Sequence, residues 1–298
     1  MENVNIFDQI SKNKINSLLL TFLVFVVLFS LVYFLSYFFY PEFSIFLLIF
    51  SFVVIFLYTF TSYRYGDKVV LSATGAKPVK EGDRNYMHLN NVVEGLSIAA
   101  GIPKPKIYVI EDKDINAFAT GRDPEHASIA VTTGALEKLD RDELEGVIGH
   151  EISHVRNFDI RFAIIVAVMV GLIAIISNVF LRSMRYGGRS SRESKGSGLF
   201  ILIGLVLAII SPIIVRLVQL AISRKREYLA DASSAQLTRY PNGLADALEK
   251  IKKYNENKMK VSEAVSHIFF IDPNKSALDN VFTTHPPIDK RIEILRAM

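Results

Sequence analysis

The chain of 298 residues contains no cysteine and no tryptophan. The absence of cysteine excludes disulfides, thiolate metal sites and a cysteine nucleophile, so a catalytic metal would need histidine and carboxylate ligands. The chain also has little net charge. The formal net charge is only +4, and much of it lies in one loop. This composition shows no basic footprint for nucleic acid, and we expect no nucleic-acid partner.

Charged residues are missing from two long stretches near the N-terminus, residues 15–40 and residues 43–63, which Pro41 and Glu42 separate. About 20 apolar residues cross the hydrocarbon core of a bilayer, so each stretch is long enough. The first is longer than the apolar core of a signal peptide, which is about 7–15 residues. Residues 1–63 are therefore predicted to form a transmembrane helical hairpin, and a pair of buried soluble helices is the alternative.

Two further apolar runs, residues 162–181 and 199–215, are close to spanning length, although Pro212 interrupts the second. They either cross the bilayer or form a hairpin that protein partly shelters. The segment between them, residues 182–198, holds five basic residues and one acidic residue among glycines and serines, which is typical of a flexible loop. We assign residues 161–220 to this second hydrophobic pair and its basic loop.

The more polar remainder of the chain is long enough for one modest soluble core. Strands are predicted at residues 68–72, 106–110 and 128–132. Helices are predicted from apolar periodicity and from start and stop signals; they cover residues 84–100, 226–237, 243–254 and 288–298.

One of the predicted helices carries the residue types of a metal centre. Asp140 and Glu143 form a helix cap, and apolar residues then recur at helical spacing. His150 and His154 are four residues apart, so their imidazoles project from one face and can bind one zinc ion. Glu151 directly follows His150, where its carboxylate can act as general base on the attacking water. Two surface histidines without a metal are the alternative.

A catalytic zinc keeps three protein ligands, so the third must come from elsewhere in the chain. Glu227 and Asp231 are four residues apart on a predicted helix after the last apolar run. One carboxylate facing the histidine pair would complete a His-His-Glu site, while a second could orient a ligand imidazole. A solvated acidic helix face is the alternative.

The stretches His150-Glu-Ile-Ser-His154 and Glu227-Tyr-Leu-Ala-Asp231, with a hydrophobic insertion between them, resemble the HtpX-type membrane metallopeptidases. These are gluzincins related to the type I CAAX prenyl endopeptidases. The resemblance covers nearly the whole chain, including residues 116–121 and the Thr-His-Pro-Pro stretch at residues 284–287.

The resemblance implies a membrane protein that is mainly α-helical with a small β-sheet. The N-terminal hairpin would precede a zincin-like α+β catalytic domain, which the second hydrophobic pair interrupts. The first part of that domain would be residues 64–160 with the zinc-binding helix, and the second part residues 221–298 with the third zinc ligand.

By the same resemblance, one Zn²⁺ per chain is bound by His150, His154 and Glu227. Glu151 is then the general base. Asp231 forms a hydrogen bond with one of the metal ligands and does not bind the metal itself.

The resemblance also makes residues 128–132 a candidate edge strand that aligns an extended substrate by main-chain hydrogen bonds; they are Ser128, Ile129, Ala130, Val131 and Thr132. His285 could donate a hydrogen bond to the oxyanion of the tetrahedral intermediate, or it could pack in a structural turn. Asn116 could contact substrate, or it could hydrogen-bond its own turn.

The charge distribution bears on which side of the membrane holds the active site. If both later apolar runs cross, the basic loop lies opposite the active site, and the positive-inside rule then favours a cytoplasmic loop. The resemblance implies the reverse, and Lys12, Lys14 and Arg64 on the catalytic side of the first hairpin agree with it. The conflict eases if the second pair enters the membrane without crossing. We expect a multi-pass protein of the cytoplasmic membrane whose catalytic domain faces the cytoplasm.

The preferred hypothesis, implied by the resemblance, is an endopeptidase that cleaves misfolded or damaged membrane proteins beside the lipid bilayer. A processing enzyme for lipidated or precursor peptides is the second hypothesis. A non-enzymatic membrane protein with a structural zinc site is the third, and the intact Glu151 argues against it because a structural site needs no general base.

Overall fold

The computed structural model describes residues 41–165, 167, 224–256, 259, 261, 263–273 and 286–298, with single positions at Ile15, Leu19, Phe22, Val26 and Phe29. Most of the first predicted apolar run, most of the second hydrophobic pair, the basic loop and His285 lie outside these residues.

The longest described helix, α1, runs from Ser44 to Ala73 and measures about 45 Å at 1.5 Å per residue. Its first two-thirds match the second predicted apolar run, and exposed aromatic and aliphatic side chains cover it. Leu48–Ala73 is the one segment among the described residues that is long and apolar enough to cross a membrane. The ring centres of Phe29 and Phe52 lie 6.1 Å apart in an edge-to-face arrangement, so Phe29 lies beside α1.

Helix α1 continues past Tyr63 and includes residues 68–72, so the prediction of a strand there was wrong. Val70 and Leu71 are buried, and they pack in one cluster with Phe118 and Phe269. Extending an existing helix needs no new nucleus, and this continuity outweighs the local strand propensity of two adjacent valines.

Four strands form one mixed sheet with the order β1-β2-β4-β3. They are β1 (Lys77–Pro78), β2 (Lys106–Ile110), β3 (Ala117–Gly121) and β4 (Ala127–Thr132). The strands predicted at residues 106–110 and 128–132 are confirmed. The prediction that residues 128–132 lie at an edge was wrong, because β4 pairs in parallel with β2 on one side and antiparallel with β3 on the other. The edges of the sheet are β1 and β3, and β3 is the edge strand next to residues 128–132.

The remaining helices include all four that were predicted for the soluble part, with small shifts at their ends. They are α2 (Met87–Ala100), α3 (Thr133–Lys138), α4 (Arg141–Arg156), α5 (Arg224–Thr238), α6 (Pro241–Tyr254), α7 (Glu263–Ser266) and α8 (Ile288–Arg296). Helix α4 begins with the predicted capping box. The Asp140 side chain accepts from the Glu143 main-chain N–H at 3.0 Å, and the Glu143 side chain accepts from the Asp140 N–H at 2.7 Å.

Two glycines let neighbouring helices approach α4 closely. A Cβ at Gly146 would lie 2.6 Å from the Leu244 nitrogen on α6, and one at Gly149 would lie 2.8 Å from Ser234 Oγ on α5. Ser234 Oγ also donates to the Gly146 carbonyl at 2.6 Å. This contact holds α5 against the face of α4 that carries the histidines, although the two helices are far apart in sequence.

Candidate active site

Helices α4 and α5 bring three potential metal ligands together. The Nε2 atoms of His150 and His154 are 3.1 Å apart, and Glu227 carboxylate oxygens lie 3.5 Å and 3.6 Å from them. Tetrahedral ligands at 2.0–2.1 Å from one ion are separated by about 3.3 Å. The observed separations are close to this value, so the three side chains can bind a single metal ion with metal–ligand distances of that length.

Each histidine is oriented by a carboxylate at its other ring nitrogen. His150 Nδ1 is 2.9 Å from Asp231 Oδ1, and His154 Nδ1 is 3.0 Å from Asp159 Oδ2. Both nitrogens donate to these acceptors, which leaves each Nε2 lone pair for a metal. Phe158, two residues after the end of α4, takes a left-handed conformation with φ 61°, and this turn lets Asp159 reach back to His154.

Helix α8 adds a fully buried cation behind this site. Arg291 Nε donates to Asp231 Oδ2 at 2.8 Å, and Arg291 Nη2 donates to Asp231 Oδ1 at 2.7 Å. Burial by itself would raise the pKa of Asp231, but the Arg291 charge and the His150 hydrogen bond lower it to about 2. The guanidinium also lies over the Phe270 ring, 4.7 Å from its centre, and the same ring meets the His150 ring at 4.8 Å.

Glu151 faces the same pocket as the three ligands and is 2 % exposed. Burial raises the pKa of its carboxyl group, against the lowering effect of the two histidines and of a hydrogen bond from the Ala119 main chain on β3. The pocket thus lies between α4, α5 and the edge strand; its lining includes Ala119, His150, Glu151, His154, Asp159, Glu227, His267, Phe269 and Phe270.

His154 lies among carboxylates, which govern its protonation. Burial alone would lower the pKa of His154, but the hydrogen bond to Asp159 and the negative charges of Glu227, Asp159 and Glu151 raise it to about 9. Without a metal, the His154 imidazole is therefore protonated at both ring nitrogens at neutral pH, and its Nε2 lone pair becomes free only when the second proton leaves. A metal ion would have to displace that proton, because only a deprotonated nitrogen can be a ligand.

The residues predicted to contact substrate do not line this pocket. Residues 128–132 are buried inside the sheet. Asn116 is 2 % exposed. Its amide group donates to the Ile271 carbonyl at 2.7 Å and accepts from the Ile271 N–H at 3.1 Å. It also accepts from the Ala117 N–H at 3.1 Å, which is the local turn role that the sequence leaves open.

Two residues of the site have no assigned role in the sequence-based prediction, namely Asp159 and Arg291. Asp159 lies only five residues after His154, but a helix continued through it would point its side chain away. Arg291 lies four residues after the Thr-His-Pro-Pro stretch, and only the packing of α8 places it against Asp231. His267, which has no partner pattern in the sequence, also lines the pocket.

Two histidines one turn apart, a carboxylate from a second helix and a glutamate beside the first histidine define a metal-dependent hydrolase site of the HExxH class. The comparisons with known proteins agree. The model of Peptidase family M48 matches residues 83–298. The chain belongs to this family, which confirms the resemblance seen in the sequence.

Relatives extend the similarity over the N-terminal region. The protein named Protease HtpX homolog from Dictyoglomus thermophilum is 43 % identical over 100 % of this chain and 96 % of its own length. Its namesake from Caldanaerobacter subterraneus subsp. tengcongensis is 47 % identical over 92 % of this chain and 93 % of its own. The crystal structure of S. mikatae Ste24p shares the fold, with a TM-score of 0.50 at 22 % identity, over 97 % of this chain and 67 % of that one. The protein is thus a membrane metallopeptidase.

Proposed function

We propose that this metallopeptidase is a zinc endopeptidase that cleaves misfolded or damaged membrane proteins at the bilayer surface. The observation that carries the proposal is the close approach of three ligand side chains, with Glu151 in the same pocket. The two imidazole Nε2 atoms are 3.1 Å apart, and the two Glu227 oxygens lie 3.5 Å from His150 and 3.6 Å from His154. Two imidazoles and one carboxylate are a ligand set of catalytic zinc sites. We assign the three residues as ligands of one Zn²⁺.

The chemistry of the site follows from the position of Glu151. Bound zinc would supply Lewis acidity that polarises the scissile carbonyl. Glu151 accepts a proton from the attacking water and later returns it to the leaving amine nitrogen. Burial raises the pKa of the Glu151 carboxyl group, which makes it a stronger base than an exposed glutamate and so favours transfer of the water proton to it.

The substrate is proposed to align along β3 in place of residues 128–132. β3 is a sheet edge, and its Ala119 lies in the metal pocket. The beginning of this edge already contacts the chain itself, because the Phe270 N–H donates to the Ala117 carbonyl at 2.8 Å. An extended peptide can add to the part between Ala119 and Gly121 by main-chain hydrogen bonds. Substrate contact by Asn116 would require Ile271 to move.

We place the protein in the cytoplasmic membrane as a multi-pass protein with its catalytic domain on the cytoplasmic side. Arg64 and Lys68 follow the apolar part of α1, whereas Glu42 precedes it, which agrees with the positive-inside rule. Because the native chain has no cysteine, labelling of single-cysteine variants can test this orientation. Lys104→Cys should react with a membrane-impermeant maleimide only after lysis, and Glu42→Cys should react in intact cells. Labelling of Lys104→Cys in intact cells would contradict the orientation.

The substrate class is inferred from the relatives and from the position of the site. The relatives are named Protease HtpX homolog, and the catalytic domain continues directly from an apolar helix. A pocket so close to the bilayer can reach loops of membrane-embedded proteins. Many cuts in loosely folded membrane proteins are expected, whereas one defined cut in a lipidated or precursor peptide would favour a processing enzyme.

The decisive experiment compares wild type, Glu151→Gln and the control Glu145→Gln on the same helix, all purified in detergent. Zinc content and cleavage of an unfolded model protein are measured for each. We expect about one zinc in all three and cleavage by wild type and the control only. Zinc-loaded wild type that never cleaves would refute the catalytic assignment, and wild type that binds no zinc would refute the metal assignment.

A further inference from the structure

The level at which α1 leaves the hydrocarbon can be read from its length. Twenty residues, from Ser44 to Tyr63, span about 30 Å, which is the thickness of the hydrocarbon core. Tyr63 and Tyr65 are exposed, as aromatic residues at a membrane interface are. Val70 and Leu71 are already buried in the catalytic domain. Arg64 therefore lies at the level of the lipid headgroups.

Two arginines from other elements meet α1 at this level. Arg122, which directly follows edge strand β3, donates from Nη1 to the Arg64 carbonyl at 3.4 Å. Arg161 lies beyond the end of α4, and its Nε donates to the Arg122 carbonyl at 2.7 Å. The Arg161 guanidinium also lies over the Tyr63 ring, 5.8 Å from its centre. Arg122 and Arg161 are thus linked to the main chain of α1 at Arg64 by two successive hydrogen bonds.

The positive charge of this cluster is only partly balanced. Asp123 lies 3.4 Å from Arg122 Nε. In the described part of the chain, no carboxylate forms an ion pair with Arg64 or Arg161, and Asp67, one turn along α1, does not reach Arg64. Asp123 also contacts the His126 ring at 2.6 Å and lies within 4.8 Å of Glu125. Among the described residues, Asp123 is the one carboxylate that forms an ion pair with any of the three arginines. A guanidinium has five N–H donors in a planar fork that matches phosphate oxygens, so the cluster lacks an acceptor of that kind.

We propose that Arg64, Arg122 and Arg161 form a binding site for the phosphate of an anionic phospholipid headgroup. The cluster lies where such phosphates are concentrated, and its aromatic neighbours suit the apolar part of the lipid below them. The site adjoins the catalytic pocket along two short paths. Arg122 follows β3, whose Ala119 lines the pocket, and Arg161 is two residues after Asp159, which orients His154. A bound lipid would fix the pocket at the headgroup level.

The test uses the full chain carrying Glu151→Gln, so that self-cleavage cannot interfere. The protein is exchanged into detergent with equimolar phosphatidylglycerol and phosphatidylcholine, and the lipids that it retains are counted by native mass spectrometry. Arg64→Gln/Arg161→Gln should lower the apparent affinity for phosphatidylglycerol about 25-fold, from roughly fivefold per basic residue at a membrane surface. Arg64→Lys/Arg161→Lys keeps both charges and should lose much less.

The matched control is Arg84→Gln/Arg141→Gln, which removes the same charge elsewhere; Arg141 begins α4, about 24 Å along that helix from its other end. The control should retain phosphatidylglycerol, and all variants should keep their zinc content. Unchanged retention by the Arg64/Arg161 glutamine variant would overturn the proposal, and so would an equal loss in the control. Displacement of the lipid by millimolar inorganic phosphate would show a site for free phosphate and would overturn the lipid as ligand.

Discussion

Arg291 is expected to stabilise the metal site through Asp231, which forms a hydrogen bond with the proposed ligand His150. It is 0 % exposed and forms two charge-assisted hydrogen bonds, of 2.7 and 2.8 Å, with Asp231. Arg291→Met would leave the Asp231 carboxylate buried without its cation. Breaking a buried ion pair in this way costs about 3–5 kcal/mol, a large part of the roughly 5–15 kcal/mol that stabilises a folded domain. The pKa of Asp231 would rise, and its hold on His150 would weaken.

The assay for this prediction measures both thermal unfolding and zinc affinity against a competing chelator. We expect a clearly lower Tm and zinc affinity reduced about 10–100-fold, the usual effect of losing an outer hydrogen-bond partner of a metal ligand. Arg296→Met on the same helix is the control, since its ion pairs with Asp246 and Glu249 are partly exposed and should contribute less than about 1 kcal/mol.

A double variant separates the ion pair from general packing. Asp231→Asn/Arg291→Met removes both buried charges, so it should be more stable than the sum of the two single variants predicts. If Arg291→Met changes neither Tm nor zinc affinity, or if the two substitutions add without coupling, the proposed support of His150 through Asp231 is refuted.

Three further predictions concern the metal site and the packing around α4. Because the pKa of His154 is about 9 without a metal, zinc binding at pH 7 should release about one proton. Calorimetry in buffers of different ionisation enthalpy measures this release. A binding enthalpy that does not depend on the buffer would contradict the prediction. Asp159→Asn should lower the pKa of His154 in the metal-free protein and weaken zinc affinity about 10–100-fold, followed by NMR titration and chelator competition; an unchanged pKa would exclude the assigned hydrogen bond. Gly146→Ala should destabilise the protein by about 1–3 kcal/mol, because the new Cβ would meet the α6 backbone. The control Gly95→Ala, on α2, places its Cβ in open space and should stabilise the protein by up to about 1 kcal/mol. Equal effects of the two substitutions on Tm would refute the packing account.

Much of the site could be predicted because its determinants are local. The cap of α4 requires two residues three positions apart, and the histidine pair requires two residues four positions apart, so helical periodicity alone specifies both. Long charge-free runs likewise predict helix α1 directly, since the thickness of the bilayer sets their length. The third ligand is different: without the resemblance, Glu227 is one of two carboxylates on a helix, and nothing in its own spacing distinguishes a ligand from a solvated residue.

The errors arose where local preference and tertiary context disagree. Residues 68–72 have strand propensity but belong to α1, because a helix that is already formed continues into a core that accepts Val70 and Leu71. Residues 128–132 do form a strand, but the order of strands in the sheet decides which strand is an edge. That order does not follow the sequence, because β4 lies between β2 and β3.

The sequence by itself determined the type of chemistry, namely a histidine pair with an adjacent glutamate on a capped helix, in a chain with membrane-length apolar runs and no thiol. The tertiary structure alone decided that Asp159 turns back to His154, that Arg291 pairs with Asp231, and that β3 presents the open edge beside Glu151. The physical reason is range. Helical geometry fixes neighbours within one turn, whereas burial and close packing bring together charges that are 60 or 81 residues apart, and only their mutual compensation makes such burial stable.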